Sequence, residues 1–125
     1  MLLLDTHVFL WFVNGDEKLP QSMMRDIQTE DKVYISIVSF WEMAIKSSLG
    51  KLSLPCSISK LMEDCEKMNI NVLHISAVHL EQLKSLPWVH RDPFDRLIIC
   101  QAQTEGLKLA TVDENIKKYS VETME

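Results

Sequence analysis

Short apolar runs alternate along this chain with longer stretches in which apolar residues recur at helical spacing. A buried parallel strand reads as a continuous apolar run, whereas a helix repeats its apolar positions every three or four residues. The predicted strands are residues 2–4, 33–37, 72–75 and 107–111, with a short last strand over 120–124. The predicted helices are residues 6–13, 22–30, 39–49, 57 or 59 to 68, 76–86, 93–104 and 113–119.

Capping residues support several of these boundaries. Asn14-Gly15 and Gly106 follow helical stretches in the way that C-caps do. The spacing from Ser39 to Glu42 matches a capping box at the start of the third helix. Strands separated by helices predict an α/β fold with a parallel sheet and helices on both faces. The length fits one domain, residues 1–125.

Four acidic residues fall at equivalent places in this pattern. Asp5 follows the first strand, Glu42 and Asp95 lie in the first turns of helices, and Asp113 follows the fourth strand. Strand carboxyl ends and the helix starts that follow them share one edge of a parallel sheet, where ligands bind. Each acid also has a local explanation as a helix cap or turn residue. Together, however, four carboxylates on one edge repel each other unless they are protonated or neutralised by a cation.

An oxygen-rich site of this kind favours a hard divalent cation, Mg²⁺ or Mn²⁺. Such ions also bind phosphate groups, so the pattern indicates phosphoryl chemistry. The formal net charge of −5 argues against a broad basic surface for nucleic acid, although it permits contact with phosphates through a metal. The three cysteines have no ligand-like spacing and indicate reduced thiols in a cytoplasmic protein. The apolar start of the chain is neither a signal peptide nor a membrane span.

Four short motifs in order resemble those of the PIN-domain ribonucleases, and among them the VapC-type toxins of toxin–antitoxin pairs. The motifs are Leu3-Leu4-Asp5-Thr6-His7, Ser36-Ile37-Val38-Ser39-Phe40-Trp41-Glu42 with Lys46 and Leu49-Gly50-Lys51-Leu52, His90-Arg91-Asp92-Pro93-Phe94-Asp95-Arg96-Leu97-Ile98, and Leu109-Ala110-Thr111-Val112-Asp113. The resemblance spans essentially the whole chain. It implies a three-layer α/β/α sandwich, metal-dependent cleavage of RNA, homodimers, and a small antitoxin protein that blocks the site.

By matched position, the resemblance makes Asp5, Glu42, Asp95 and Asp113 the catalytic acids. Asp5 and Asp95 are the expected direct ligands of the metal. Glu42 and Asp113 are expected to complete the shell, directly or through water, with Asp113 counted as a further ligand. Two threonines next to these acids, Thr6 and Thr111, are expected to orient carboxylates or water.

Several residues of these motifs keep more than one interpretation. Asp92 is a second acid beside Asp95, which we assign to capping, and Cys100 is expected only to pack. The basic residues of the motifs either contact RNA phosphates or lie in solvent. For His7 and His90 the alternatives are contact with RNA, acid–base chemistry, or no functional role. The basic residues concerned are Lys46, Lys51, Arg91 and Arg96. The three tryptophans, at positions 11, 41 and 88, are expected to serve packing or an interface.

Two other functions remain as alternatives. A non-catalytic module of the same fold would use the acids only as caps. A phosphoacceptor receiver domain is also a parallel α/β fold with an acidic pocket. It would require paired acids after the first strand and an acceptor aspartate at the end of the third, whereas residues 72–76 contain no carboxylate.

Overall fold

The computed structural model describes residues 1–119, 121 and 123–124, and for Met124 only the backbone. The strands are β1 (Leu2–Leu4), β2 (Val33–Ser36), β3 (Ile70–Leu73), β4 (Lys108–Ala110) and β5 (Thr123–Met124). The helices are α1 (Thr6–Asn14), α2 (Gln21–Thr29), α3 (Ile37–Ser48), α4 (Ile58–Lys67), α5 (Ala77–Ser85), α6 (Pro93–Glu105) and α7 (Glu114–Lys117).

The strands form one parallel sheet in the order β3-β2-β1-β4-β5. Successive residues of a strand face opposite sides, and this alternation divides the core in two. Leu2 and Leu4 of β1 belong to one apolar cluster, with α1, α2 and α4, whereas Leu3 belongs to another, with α6. The predicted α/β/α sandwich with a central parallel sheet is therefore confirmed. In the part of the chain that the structure describes, no helix has the length and apolar character needed to cross a membrane.

The start of α3 differs from the prediction. The helix begins at Ile37, and its N-cap is Ser36, whose hydroxyl accepts a hydrogen bond from the Val38 backbone N–H at 3.0 Å. The prediction of a capping box at Ser39 was wrong, because strand β2 continues directly into the helix without a loop. Ser39 is instead fully buried inside the helix and faces the neighbouring helix α1 through Thr6.

The apolar stripe of α3 faces outward rather than inward. Trp41, Ile45 and Leu49 share one side of the helix, and they are 51%, 42% and 61% exposed. Helix α3 packs mainly through other residues, among them Phe40 and Met43, which are buried. The Trp41 ring also has an edge-to-face contact with Phe94, with 4.8 Å between the ring centroids. For Trp41 the contact with Phe94 agrees with the expectation of packing, and its exposed half leaves an interface as a prediction.

The remaining boundaries shift by a few residues. Strand β3 begins at Ile70, two residues before the predicted start, and it ends at Leu73. The last predicted strand is observed as β5, while Ser120 and Glu122 lie outside the described residues. The cysteines are free thiols, and Cys100 is fully buried in the cluster that contains α6, as expected for a packing residue.

Candidate metal centre

All four predicted acids line one cavity of about 230 Å³ at the carboxyl edge of the sheet. The cavity lies where β1 and β4 end and where α1, α3 and α6 begin or run past. Its lining comprises Asp5, Thr6, His7, Glu42, Lys46, His90, Asp92, Asp95, Asp113 and Ile116. Side chains that are far apart in sequence therefore meet in one place, as the strand-edge argument predicts.

Asp5 combines a capping role with deep burial. It is the N-cap of α1, and its Oδ1 accepts a hydrogen bond from the Val8 backbone N–H at 2.8 Å. Burial raises the pKa of the Asp5 carboxyl, and hydrogen bonds from Thr111 and Val8 oppose that effect. The charge of Asp113 contributes to the increase in pKa. Asp5 and Asp113 are thus close enough for their charges to interact unfavourably.

Glu42 is held on both of its oxygens. The Thr6 hydroxyl donates to Glu42 Oε1 at 2.6 Å, and the Lys46 ammonium donates to Oε2 from the next turn of α3. Burial alone would lower the pKa of Lys46, but the hydrogen bond and charge of Glu42 outweigh it and raise the pKa. Glu42 is therefore neutralised largely by Lys46, which leaves the other acids of the cavity with the greater need for a cation.

Asp95 sits in the first turn of α6, beside His90 and Asp92. Its Oδ2 lies 3.0 Å from His90 Nε2. Asp92 is the N-cap of α6, and its Oδ1 accepts from the backbone N–H groups of Phe94 at 2.9 Å and Asp95 at 3.1 Å. Burial, reinforced by the Asp92 charge, raises the pKa of Asp95 to about 6.

Asp113 completes the cavity from the end of β4. Its Oδ1 accepts from the Asn115 backbone N–H at 2.8 Å, and its own N–H donates to Thr111 Oγ1 at 3.0 Å. One carboxylate oxygen each of Asp113 and Asp95 and one ring nitrogen of His90 lie within 4.8 Å of one another. Thr111 thus contacts the carboxyl group of Asp5 and the backbone of Asp113, and its role in orienting a ligand stays a prediction.

The donor set fits a hard divalent cation. Carboxylates from Asp5, Asp95 and Asp113 share one cavity, and the pKa values of Asp5 and Asp95 are raised by burial. A raised carboxyl pKa means that the ionised form lacks adequate compensation, which a cation would supply. Carboxylate oxygen is the ligand that Mg²⁺ and Mn²⁺ prefer.

The structure changes the interpretation of two residues in the third motif. Arg96 was expected in solvent or on RNA, but it is only 3% exposed and its guanidinium lies inside the protein. His90 is placed against Asp95, a contact that sequence spacing does not reveal because His90 lies in a loop before the helix. The Glu42–Lys46 pair, in contrast, has the four-residue helical spacing that predicts such a contact.

Replacement of Asp95 by asparagine is expected to stabilise the metal-free protein. The pKa of Asp95 is raised to about 6 in the folded state and is about 4 in an unfolded chain, so the folded state binds the proton more tightly. Stability from this group therefore falls as pH rises from about 4 to about 6. After allowance for solvent screening, Asp95→Asn should gain about 1 to 2 kcal/mol at pH 7.5 and much less at pH 4.5.

Urea unfolding in EDTA at the two pH values measures this gain. The matched control is Asp16→Asn, because Asp16 also accepts a backbone hydrogen bond, from Lys18, but lies outside the cavity. A gain that is the same at both pH values would show that the Asp95 charge is not the cause.

The fold and this cavity together define a class of protein. It is a parallel α/β protein that brings carboxylates from separate strand ends and helix starts into one pocket suited to a divalent cation. The match to the PIN domain family covers residues 2–122, and the chain belongs to that family. The resemblance inferred from the four motifs is thereby confirmed.

Known proteins similar to this chain include a ribonuclease and chains of two VapBC structures. Ribonuclease VapC22 of Mycobacterium tuberculosis is 25% identical over 122 residues, which cover 94% of this chain and 91% of the relative. VapBC2 from Rickettsia felis, bound to a DNA fragment from its promoter, has a TM-score of 0.70 at 14% identity, and VapBC-1 from nontypeable Haemophilus influenzae has 0.69 at 17%. Each structural match covers 99% of this chain and 96% of the other chain. At these identities, the structural matches establish the fold.

Proposed function

We propose that this protein, as a single PIN domain, is a metal-dependent endoribonuclease and the toxin of a toxin–antitoxin pair. The observation that carries the proposal is the convergence of Asp5, Glu42, Asp95 and Asp113 on one cavity of about 230 Å³. Membership of the PIN domain family and similarity to a protein named as a ribonuclease support the same reaction.

In this proposal Asp5, Asp95 and Asp113 hold Mg²⁺ or Mn²⁺. A bound ion of this kind polarises a phosphodiester and lowers the pKa of water, which makes hydrolysis feasible at neutral pH. The Asp5 and Asp113 carboxylates keep their orientation through backbone hydrogen bonds at the starts of α1 and α7. Such anchoring reduces the motion that a ligand must lose on binding.

Glu42 has the role of a supporting acid. Thr6 and Lys46 fix its two oxygens, so it can accept a hydrogen bond from water only along directions that these partners leave open. Lys46 also lines the cavity, and its ammonium adds positive charge where an RNA phosphate would enter. The negative cavity is thus balanced by one protein cation as well as by the proposed ion.

We propose an antitoxin partner and a homodimer on the basis of the relatives and of an uncovered surface. Similar structures carry the names of VapBC complexes, and one is described as a toxin–antitoxin complex from Klebsiella pneumoniae. The exposed stripe of Trp41, Ile45 and Leu49 is the kind of apolar surface that a protein partner covers. RNA as the substrate and free thiols fit a location in the cytoplasm. Sedimentation of the isolated chain tests the dimer, which a single-chain mass at micromolar concentration would contradict.

Removal of divalent metal is expected to lower RNA cleavage by at least about 100-fold, because metal catalysis supplies several kcal/mol to such reactions. Purified protein would be incubated with total cellular RNA in Mg²⁺, in Mn²⁺ and in EDTA, and cleavage would be followed by the appearance of new ends. Addition of excess Mn²⁺ to the EDTA sample should restore cleavage.

Two results would contradict the proposal in different ways. Cleavage that persists in EDTA would exclude a metal-dependent reaction. Binding of Mn²⁺ measured by calorimetry, without cleavage of any RNA in the pool, would favour the alternative of a non-catalytic module. The receiver alternative would require phosphorylation of an aspartate by a small phosphodonor, which mass spectrometry detects.

A further inference from the structure

A loop between α5 and α6 carries His90 into the cavity. We refer to residues 86–92 as the His90 loop. The loop has no regular secondary structure, yet its Asp92 caps α6 and its His90 ring faces Asp95. Loops of this kind are mobile unless specific contacts hold them. Side-chain hydrogen bonds from Arg96 and Tyr119 are among the contacts that hold this loop.

Arg96 is a buried cation whose hydrogen bonds hold the loop backbone. Its Nη1 donates to the Pro87 carbonyl at 2.8 Å, and its Nη2 donates to the Leu86 carbonyl at 3.1 Å. The guanidinium also lies 3.7 Å from the centre of the Trp88 ring, a cation–π contact. Burial of a charged group is costly without such partners, so the geometry indicates a structural task at this position.

Tyr119 holds the His90 backbone from the other side. Its hydroxyl accepts from the His90 N–H at 2.7 Å, and it lies 3.3 Å from the His90 carbonyl oxygen and 3.3 Å from Arg96 Nη1. A tyrosine hydroxyl has one proton to donate and two lone pairs to accept. The Tyr119 hydroxyl uses its proton to donate to the His90 carbonyl, and its two lone pairs accept from the His90 N–H and from Arg96 Nη1. The His90 backbone is thus fixed at both its N–H and its carbonyl.

We propose that Arg96 and Tyr119 are positioning residues that hold His90 so that its Nε2–H orients the Asp95 carboxylate for the metal. This inference rests on the proposed function, because it assumes that Asp95 is a ligand. A hydrogen bond to the second oxygen of a ligating carboxylate restricts its rotation and strengthens metal binding. The distance of 3.0 Å between His90 Nε2 and Asp95 Oδ2 is suited to that role.

The experiment is a double-mutant cycle between Tyr119→Phe and His90→Ala, with Mn²⁺ affinity measured by calorimetry. Loss of an outer hydrogen-bond partner typically weakens metal binding by 10- to 100-fold. We therefore expect His90→Ala to weaken Mn²⁺ binding by about 10-fold and Tyr119→Phe by roughly 3-fold. In the His90→Ala background, Tyr119→Phe should have no further effect, because it acts through His90.

Two further variants separate positioning from a general structural effect. Tyr34→Phe is the matched control, since Tyr34 lies on β2 outside the cavity lining. His90→Gln retains a side-chain N–H donor and should recover part of the affinity lost in His90→Ala. Thermal unfolding of each variant would verify that it is folded before its affinity is compared.

The inference is overturned if His90→Ala binds Mn²⁺ as tightly as the wild type, or if Tyr119→Phe weakens binding equally in both backgrounds. Failure of the proposed function has a different signature, since it would appear in the wild type itself as absent Mn²⁺ binding or absent RNA cleavage. A wild type that binds Mn²⁺ and cleaves RNA, together with unaffected variants, would exclude only the positioning role.

Discussion

Asp5→Asn is expected to reduce RNA cleavage in Mg²⁺ by about 1,000-fold while leaving the fold intact. The loss of one charged ligand removes several kcal/mol of metal and transition-state stabilisation, and about 4 kcal/mol corresponds to this factor. The capping role should survive, because asparagine is as good an N-cap as aspartate and can still accept from the Val8 N–H. The substitution therefore separates the two functions that Asp5 combines.

Cleavage rates and thermal unfolding, measured on the same preparation, test this expectation. Asp16→Asn serves as control, because it makes the same chemical change at a residue that also accepts a local backbone hydrogen bond. It should cleave RNA at the wild-type rate. If Asp5→Asn cleaves RNA as fast as the wild type, Asp5 is a cap and the assignment of metal ligands is wrong.

Arg96→Met is expected to destabilise the protein by about 3 kcal/mol. Methionine fills part of the volume but leaves two carbonyl groups without their donor, that of the buried Leu86 and that of the exposed Pro87. A buried polar group left unsatisfied costs about 1 to 3 kcal/mol, and loss of the cation–π contact with Trp88 adds to that cost. Relief from burying a charge offsets part of the total.

Urea unfolding at pH 7.5 in EDTA measures the loss of stability without any contribution from bound metal. Arg25→Met is the matched control, because Arg25 is exposed on helix α2, and its replacement should change the free energy of unfolding by less than about 0.5 kcal/mol. A variant of Arg96 as stable as the wild type would show that the His90 loop does not depend on this guanidinium.

Much of the fold could be predicted because its signals are local. Leu2–Leu4 is an uninterrupted apolar run that forms the central strand, and Asp92-Pro93 marks the start of α6 through a cap and a proline at the first turn. Helix α3 shows where local signals fail. Ser36 and Ser39 are both suitable caps, and the choice of Ser36 depends on strand β2 feeding directly into the helix. The exposure of Trp41 could not be predicted either, because an apolar stripe on a helix packs against the core in some proteins and against a partner in others.

The convergence of the acids could also be predicted, because parallel topology places strand ends together whatever the sequence between them. The side-chain contacts around these acids could not be predicted. Tyr119 reaches His90 across 29 positions of sequence, and no periodic pattern links the two residues. Arg96 lies in a motif rich in charged residues, which predicts an exposed side chain. It is buried because the His90 loop packs against its guanidinium. Long-range side-chain contacts of this kind require coordinates.

The pairing of the central strand has a consequence for the order in which the protein can fold. Strand β1 lies between β2 and β4, and Leu2 is in register with Lys108. Contacts between such distant positions form late, because a long loop must close before they can contribute. During synthesis, Asp5 leaves the ribosome well before its neighbours Thr111 and Asp113, which lie far along the chain. A nascent chain therefore has no complete cavity, and no complete set of the four acids, until Asp113 has left the ribosome.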